Sequence, residues 1–195
     1  GSRILPSPLS PFTSIYRPEQ GKLWFSALEK GLFEVDLATT KVKPLFEVEL
    51  KNITVFDIIN VGKEYVLATS KGIYQIKNSI LTPKFNTENI PVSSLLMLDD
   101  FIIAGTYGKG LFCYNYISEE EEKEWSSLFP QDLSVQDLLL DSKSRIWIAT
   151  YGKGVYLKKP GKNNIHHFSA EKENPYALHY NDILKIFEDN TGVVW

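Results

Sequence analysis

The chain has 195 residues, 43% of them hydrophobic and 13% aromatic, which is ample for a packed core and carries no compositional mark of disorder. Its 21 Lys and Arg stand against 24 Asp and Glu, and the net charge of −3 leaves no electrostatic footprint for nucleic acid. One cysteine, Cys113, excludes an internal disulfide, and there is no run of about 18 apolar residues that would span a membrane as a helix.

In chain order, Gly1-Ser2 reads as a cloning scar, so a leader or anchor would lie in segments outside this sequence. An apolar run "FTSIY" from Phe12 is followed by "KLWFSALEKGLFEVD" from Lys22 and a more polar "KVKPLFEVE" from Lys41. The same succession recurs as "VFDIINV", "YVLATSKGIYQIK" and "LTPKFNTE". It returns as "VSSLLML", "FIIAGTYGKGLFCYN" and "EWSSLF", then as "VQDLLLD", "RIWIATYGKGVYLKK" and "NIHHFSAE". The chain closes on a further opening run, "DILKIFEDNTGVVW". The glycines that lead the third run, Gly31, Gly72, Gly110 and Gly154, mark a repeat of about forty residues.

Turn formers such as Asp141-Ser142-Lys143-Ser144 and Asp189-Asn190-Thr191-Gly192 separate the first and second runs, and Thr-Tyr-Gly-Lys-Gly, spelled twice, separates the second from the third. Each unit is thus expected to form four short antiparallel strands. The first two runs are apolar at nearly every position, as in Leu138-Leu139-Leu140 and Ile146-Trp147-Ile148, so both faces must be covered. A β-propeller covers them by packing each blade between neighbours, with the fourth strand on the polar rim. The chain is therefore expected to be all-β, a partial propeller with blades at about 12–52, 53–91, 92–134 and 135–177 and the start of another at 178–195. As a fragment of a larger propeller, it should expose apolar blade faces and self-associate.

The twin motif lacks the spacing and following helix of a phosphate loop. His166, His167 and His179 lack the partners of a zinc site, no Gly-x-Ser-x-Gly elbow occurs, and the Asp turns lack the alternating ligands of a calcium loop. Cys113 sits in an apolar run and reads as a small core residue; Asn52-Ile53-Thr54 is a bare glycosylation sequon; Glu119–Glu122 reads as a solvated loop. No catalytic constellation, metal or cofactor is expected. In a propeller, the turns between second and third strands share a face with the connections between blades. That geometry gathers Tyr107, Lys109, Tyr151 and Lys153 with Asn174, Tyr176, His179 and Tyr180 as candidate ligand-binding residues. Tyrosine faces stack on sugar rings, and Lys or Asn bonds hydroxyls, uronate or sulfate.

The segments "LLLDSKSRIWIATYGKGVYL" and "HHFSAEKENPYALHYNDILKIFED" resemble the two-component regulator propeller repeat. Its pattern is an Asp turn, a Trp-bearing strand ending in Ala-Thr or Gly-Thr, and then a Phe-led strand followed by an Asn-Pro loop, Leu and polar residues. Here these are Phe168, Asn174-Pro175, Leu178 and Asn181-Asp182. The second and third units depart from the pattern, with Val66 and Ile103 where the fourth has Trp147. The resemblance implies a non-catalytic periplasmic sensor region of a hybrid two-component system of Bacteroides type, sensing an oligosaccharide and signalling to a histidine kinase through membrane and kinase segments outside this chain. The alternatives are a protein-interaction scaffold or a propeller lyase or lactonase.

Overall fold

The computed structural model describes residues 11–161 and 163–195; Gly1-Ser2, read above as a cloning scar, lies outside them. The chain forms two compact units, Gly1–Val92 and Ser93–Trp195. The first holds two sheets in chain order, β1(Phe12–Tyr16), β2(Lys22–Ala27), β3(Leu32–Asp36), β4(Val42–Leu45), and β5(Val55–Val61), β6(Glu64–Thr69), β7(Gly72–Lys77), β8(Ile80–Lys84). The second holds the three-stranded sheet β9(Val92–Leu98), β10(Phe101–Thr106), β11(Leu111–Asn115), then the helix α1(Lys123–Ser126). A four-stranded sheet follows, β12(Val135–Leu140), β13(Ile146–Thr150), β14(Val155–Lys158) and β15(Ile165–Phe168). Each strand pairs antiparallel with its chain neighbour, so each sheet is a meander, and the four are propeller blades.

Burial follows the expected gradient from inner strands to rim. Leu67, Ile102, Ile103 and Ile148 on the second strands are fully buried, each worth about 1.5–3 kcal/mol in area removed from water, whereas three of the four residues of β15 are exposed. In the first unit the core joins Leu32, Leu50, Val55 and Leu67 from both blades; in the second it joins Ile103, Leu111, Leu133 and Ile148. Cys113 is buried at 3% exposure, and burial, with Glu122 and Glu121 nearby, pushes its thiol up to about 12.

One chemical device explains the doubled Thr-Tyr-Gly-Lys-Gly. Thr106 Oγ1 donates to the Gly110 carbonyl at 2.8 Å and Thr150 Oγ1 to that of Gly154 at 2.7 Å; Thr69 with Gly72 and Ser26 with Gly31 repeat the bond at 2.7 and 2.8 Å. All four hydroxyl residues are fully buried, and the bond closes the turn from second to third strand. The glycine has two reasons to be glycine at Gly154: its φ is +72°, and a Cβ there would stand 2.1 Å from the Phe168 carbonyl oxygen. The free amides of Gly31, Gly110 and Gly154 donate onward to Ile53, Leu133 and Asn181 in the connection to the following repeat, at 2.9, 3.0 and 2.9 Å.

Two expectations need correction. "EWSSLF" is not a fourth strand: its first residues enter α1, and only Glu121 bridges to Tyr114 at the sheet edge. Trp125, Leu128 and Phe129 fall at i, i+3 and i+4, and this places all three against the second unit's core. The closing run is not a continuous strand either. It makes a short hairpin in which Phe187 and Trp195 exchange both backbone bonds at 3.2 and 2.9 Å around the Asp189–Gly192 turn.

Candidate functional site

All eight candidate residues lie in the second unit, on the turns β10–β11 and β13–β14 and on the connection after β15. The two turns meet at Ser134: Tyr107 bridges to it, and the Tyr151 amide donates to its carbonyl at 2.9 Å. Tyr107 is 40% exposed, and the burial of the rest of its side chain raises its phenol pKa; Tyr151 is 59% exposed. Lys109 is fixed through its backbone, whose N–H donates to Thr106 Oγ1 at 3.0 Å, and its side chain faces solvent. Lys153 donates from Nζ to Asp132 at 2.5 Å, and this bond, with the lysine's charge, holds the Asp132 carboxyl below its usual range.

The connection residues are organised by small polar locks. Asp182 accepts the Gly152 amide at 2.9 Å, and Asn181 accepts the Ala170 amide on its side chain at 2.7 Å and the Gly154 amide on its carbonyl. These two residues pin the connection to the β13–β14 turn. Asn174 accepts the Tyr176 amide at 3.0 Å and donates to Glu171 at 3.1 Å, presenting Tyr176 almost bare, at 96% exposure. His179 is exposed and Tyr180 is 78% exposed.

A cavity of about 420 Å3 opens between the fourth blade and the closing hairpin, and Asn174 and Tyr176 are the two candidates that line it. Its apolar wall carries Trp147 stacked on Phe168, with ring centroids 6.1 Å apart and planes inclined by 20°, together with Trp195 from the hairpin. Glu171, His167 and Lys185 add polar groups. His167 also reaches back to the twin-motif turn: its Nε2 stands 2.6 Å from the Lys153 carbonyl while its ring stacks on Tyr156 at 4.2 Å. Tyr107, Lys109, Tyr151, Lys153, His179 and Tyr180 lie outside the lining.

The cavity's tryptophans are set by carboxylates. Trp147 donates its indole N–H to Asp141 at 2.7 Å, and Asp141 also receives the Lys143 and Arg145 amides at 2.9 Å and the Arg145 guanidinium at 2.5 Å. Burial opposes its charge, yet the Trp147 and Arg145 hydrogen bonds outweigh burial and hold the carboxyl below the usual range. Asp189 repeats the arrangement, receiving Trp195 at 2.8 Å and Thr191 at 2.6 Å, and these bonds lower its pKa strongly. On the inner side, Asp137 accepts the Lys185 ammonium at 2.8 Å and the Ile186 amide at 2.9 Å, seating the hairpin against the fourth blade. Among the described residues, no group of His, Cys, Asp or Glu is arranged to hold a metal ion.

Trp147, Phe168 and Trp195, with the polar His167, Glu171 and Lys185, are on the lining but were not among the candidates named from the sequence. A partial signal existed, since Trp147 and Phe168 were both part of the repeat pattern, but their stacking depends on the register that pairs Ala149 with Val155 and Val155 with Phe168.

These features define a run of propeller blades, and the solved structures similar to the chain share that fold. The extracellular domain of BT3049 from B. thetaiotaomicron, described as a hybrid two-component system, superposes with a TM-score of 0.76 at 17% identity, over 94% of this chain and 25% of that one. The extracellular domain of BT4673 from the same organism, described in the same way, gives 0.75 at 23% identity, over 90% and 24%. In sequence, the chain is 27% identical over 139 residues to histidine kinase P4 of Formosa agariphila, covering 68% of this chain and 10% of that protein. No family model matches. The chain spans about a quarter of the solved relatives and about a tenth of the curated one.

Proposed function

We propose that this chain is part of the extracellular, periplasmic-facing sensor region of a hybrid two-component histidine kinase, that it is itself non-catalytic, and that it takes a carbohydrate at the cavity beside the fourth blade. The similarity to sensor ectodomains and to a histidine kinase supports the signalling role. One observation carries the ligand class: Tyr176, Phe168 and Trp195 offer exposed aromatic faces around the cavity, with Asn174, Glu171 and His167 as hydrogen-bonding groups beside them. Apolar sugar faces stack on such rings while the hydroxyls are met at the edge. Lys185, the lysine on the lining, is held by Asp137, so an anionic sugar would have to compete for it. This favours a neutral one.

The test is calorimetric titration of the protein with a panel of neutral and uronic-acid oligosaccharides. Saturable binding of a neutral glycan, weakened about tenfold or more in Tyr176→Ala and without release of product, is the expected result. Absence of binding across the panel, or glycan cleavage, would overturn the reading.

The same reading includes self-association. Phe12 and Ile15 on β1 are 63% and 68% exposed, an apolar pair on a strand at the edge of its sheet. Light scattering should show species larger than one chain at high concentration, reduced by Ile15→Lys; a monomer at every concentration would refute it.

A further inference from the structure

The replacement of a fourth strand by α1 gives the third blade a second cavity, of about 330 Å3, within the range of small-molecule sites. Leu98, Phe101, Cys113 and Trp125 make its wall, and Glu122 and Glu124 stand on its lining from the start of the helix. Trp125 is braced by Phe129, with ring centroids 5.2 Å apart. The Glu122 amide donates to the Cys113 carbonyl at 2.7 Å, which ties this end of the helix to the sheet edge.

The equivalent groove of the first blade shows what is different. Cys113 pairs with Ile103 as Glu34 pairs with Trp24, so the two occupy one register position. In the first blade the groove's carboxylate is consumed: Glu34 accepts the Trp24 indole at 3.0 Å and the Lys43 ammonium at 2.9 Å. In the third blade the acids have moved to the helix. Among the described residues, neither Glu122 nor Glu124 forms an ion pair, and Glu122, at the N-cap position, makes no capping bond with its side chain. The result is an aromatic-walled cavity with two carboxylates that no ion pair among the described residues neutralises. The Cys113 thiol is kept protonated by its surroundings, so the wall itself is neutral.

We propose that this cavity binds a small organic cation of the alkylammonium or quaternary ammonium class, with its apolar body against Leu98, Phe101 and Trp125 and its charge toward Glu122 and Glu124. Carboxylates and ring faces both attract a weakly hydrated cation, and an uncharged molecule of the same shape gains only the apolar term. The site is separate from the carbohydrate cavity and stands or falls without it.

The experiment compares choline with its uncharged isostere 3,3-dimethylbutan-1-ol by calorimetry at low ionic strength, using the whole chain. Choline is expected to bind saturably and the alcohol at least about tenfold more weakly. In the double variant Glu122→Gln, Glu124→Gln, both exposed positions, choline should fall to the level of the alcohol while the thermal midpoint stays unchanged. Equal binding of choline and the alcohol, unchanged choline binding in the double variant, or no binding of choline would each overturn the proposal.

Discussion

Trp24 in the first blade and Trp147 in the fourth hold the same register position, yet their indoles are satisfied in different ways. Tyr16 faces Trp24 across the first hairpin as Leu139 faces Trp147. Trp147 is held by Asp141, six residues earlier, in the turn that starts its own strand. Trp24 instead reaches Glu34 on the neighbouring third strand. Elsewhere the position is Val66 or Ile103, with no N–H to satisfy. The repeat thus keeps a bulky group where the blade needs volume, and the hydrogen-bond partner is recruited locally whenever that group has a donor. A buried donor without a partner costs about 1–3 kcal/mol, enough to force some solution and too little to force a particular one.

The largest expected effect breaks the local solution. Asp141→Ala leaves the Trp147 indole, two amides and the Arg145 guanidinium without their acceptor, and should cost about 3 kcal/mol in urea unfolding of the second unit. Glu34→Ala should cost less, about 1–2 kcal/mol, because Lys43 is exposed and returns to water while only the Trp24 N–H stays stranded. Hydrogen exchange localised to each unit would separate the two losses, and equal losses would contradict the comparison.

Acid should expose both solutions. Burial opposes the charge of Glu34, but the Trp24 and Lys43 bonds prevail and lower its pKa, as the Trp147 and Arg145 bonds do for Asp141. A depressed carboxyl contributes its stability in full above its unfolded pKa, about 4 for Asp or Glu, and loses it as pH falls through the folded value. Thermal midpoints should therefore decline below about pH 4, and more shallowly in Asp141→Asn than in the parent chain. A parallel decline in both would show that Asp141 does not set the slope. The smallest effect belongs to Asp189→Ala, since that carboxylate is only partly buried and its partner Trp195 is 67% exposed, although it holds Trp195 as Asp141 holds Trp147. Its thermal midpoint should fall less than in either of the other two variants, while Trp195 fluorescence shifts toward that of free indole.

The blades were legible in the sequence because their punctuation is chemical. Gly154 and its counterparts require positive φ and no Cβ, and the hydroxyl before each turn announces the strand end. The helix in the third blade escaped because Trp125, Leu128 and Phe129 also read as a short apolar strand when the repeat's register is imposed on them; their i, i+3, i+4 spacing was the signal. Asn174 and Tyr176, which line the cavity, were named as candidates from loop placement alone. Trp195 was not, because it reaches the cavity only through the Phe187 hairpin and the Asp137 anchor, contacts spanning about fifty residues of chain that no local pattern encodes.

The onward bonds of Gly31, Gly110 and Gly154 give the repeats a polarity. Each of these repeats offers its free amide to the strand of chain that opens its successor, so the joint between two blades is written half in one copy and half in the next. A tandem duplication inserted at such a joint arrives carrying both halves and needs no compensating substitution. In an ancestor built this way, blade number is a quantity that recombination can add to or subtract from in whole steps, while Gly and its hydroxyl partner are the positions least free to drift.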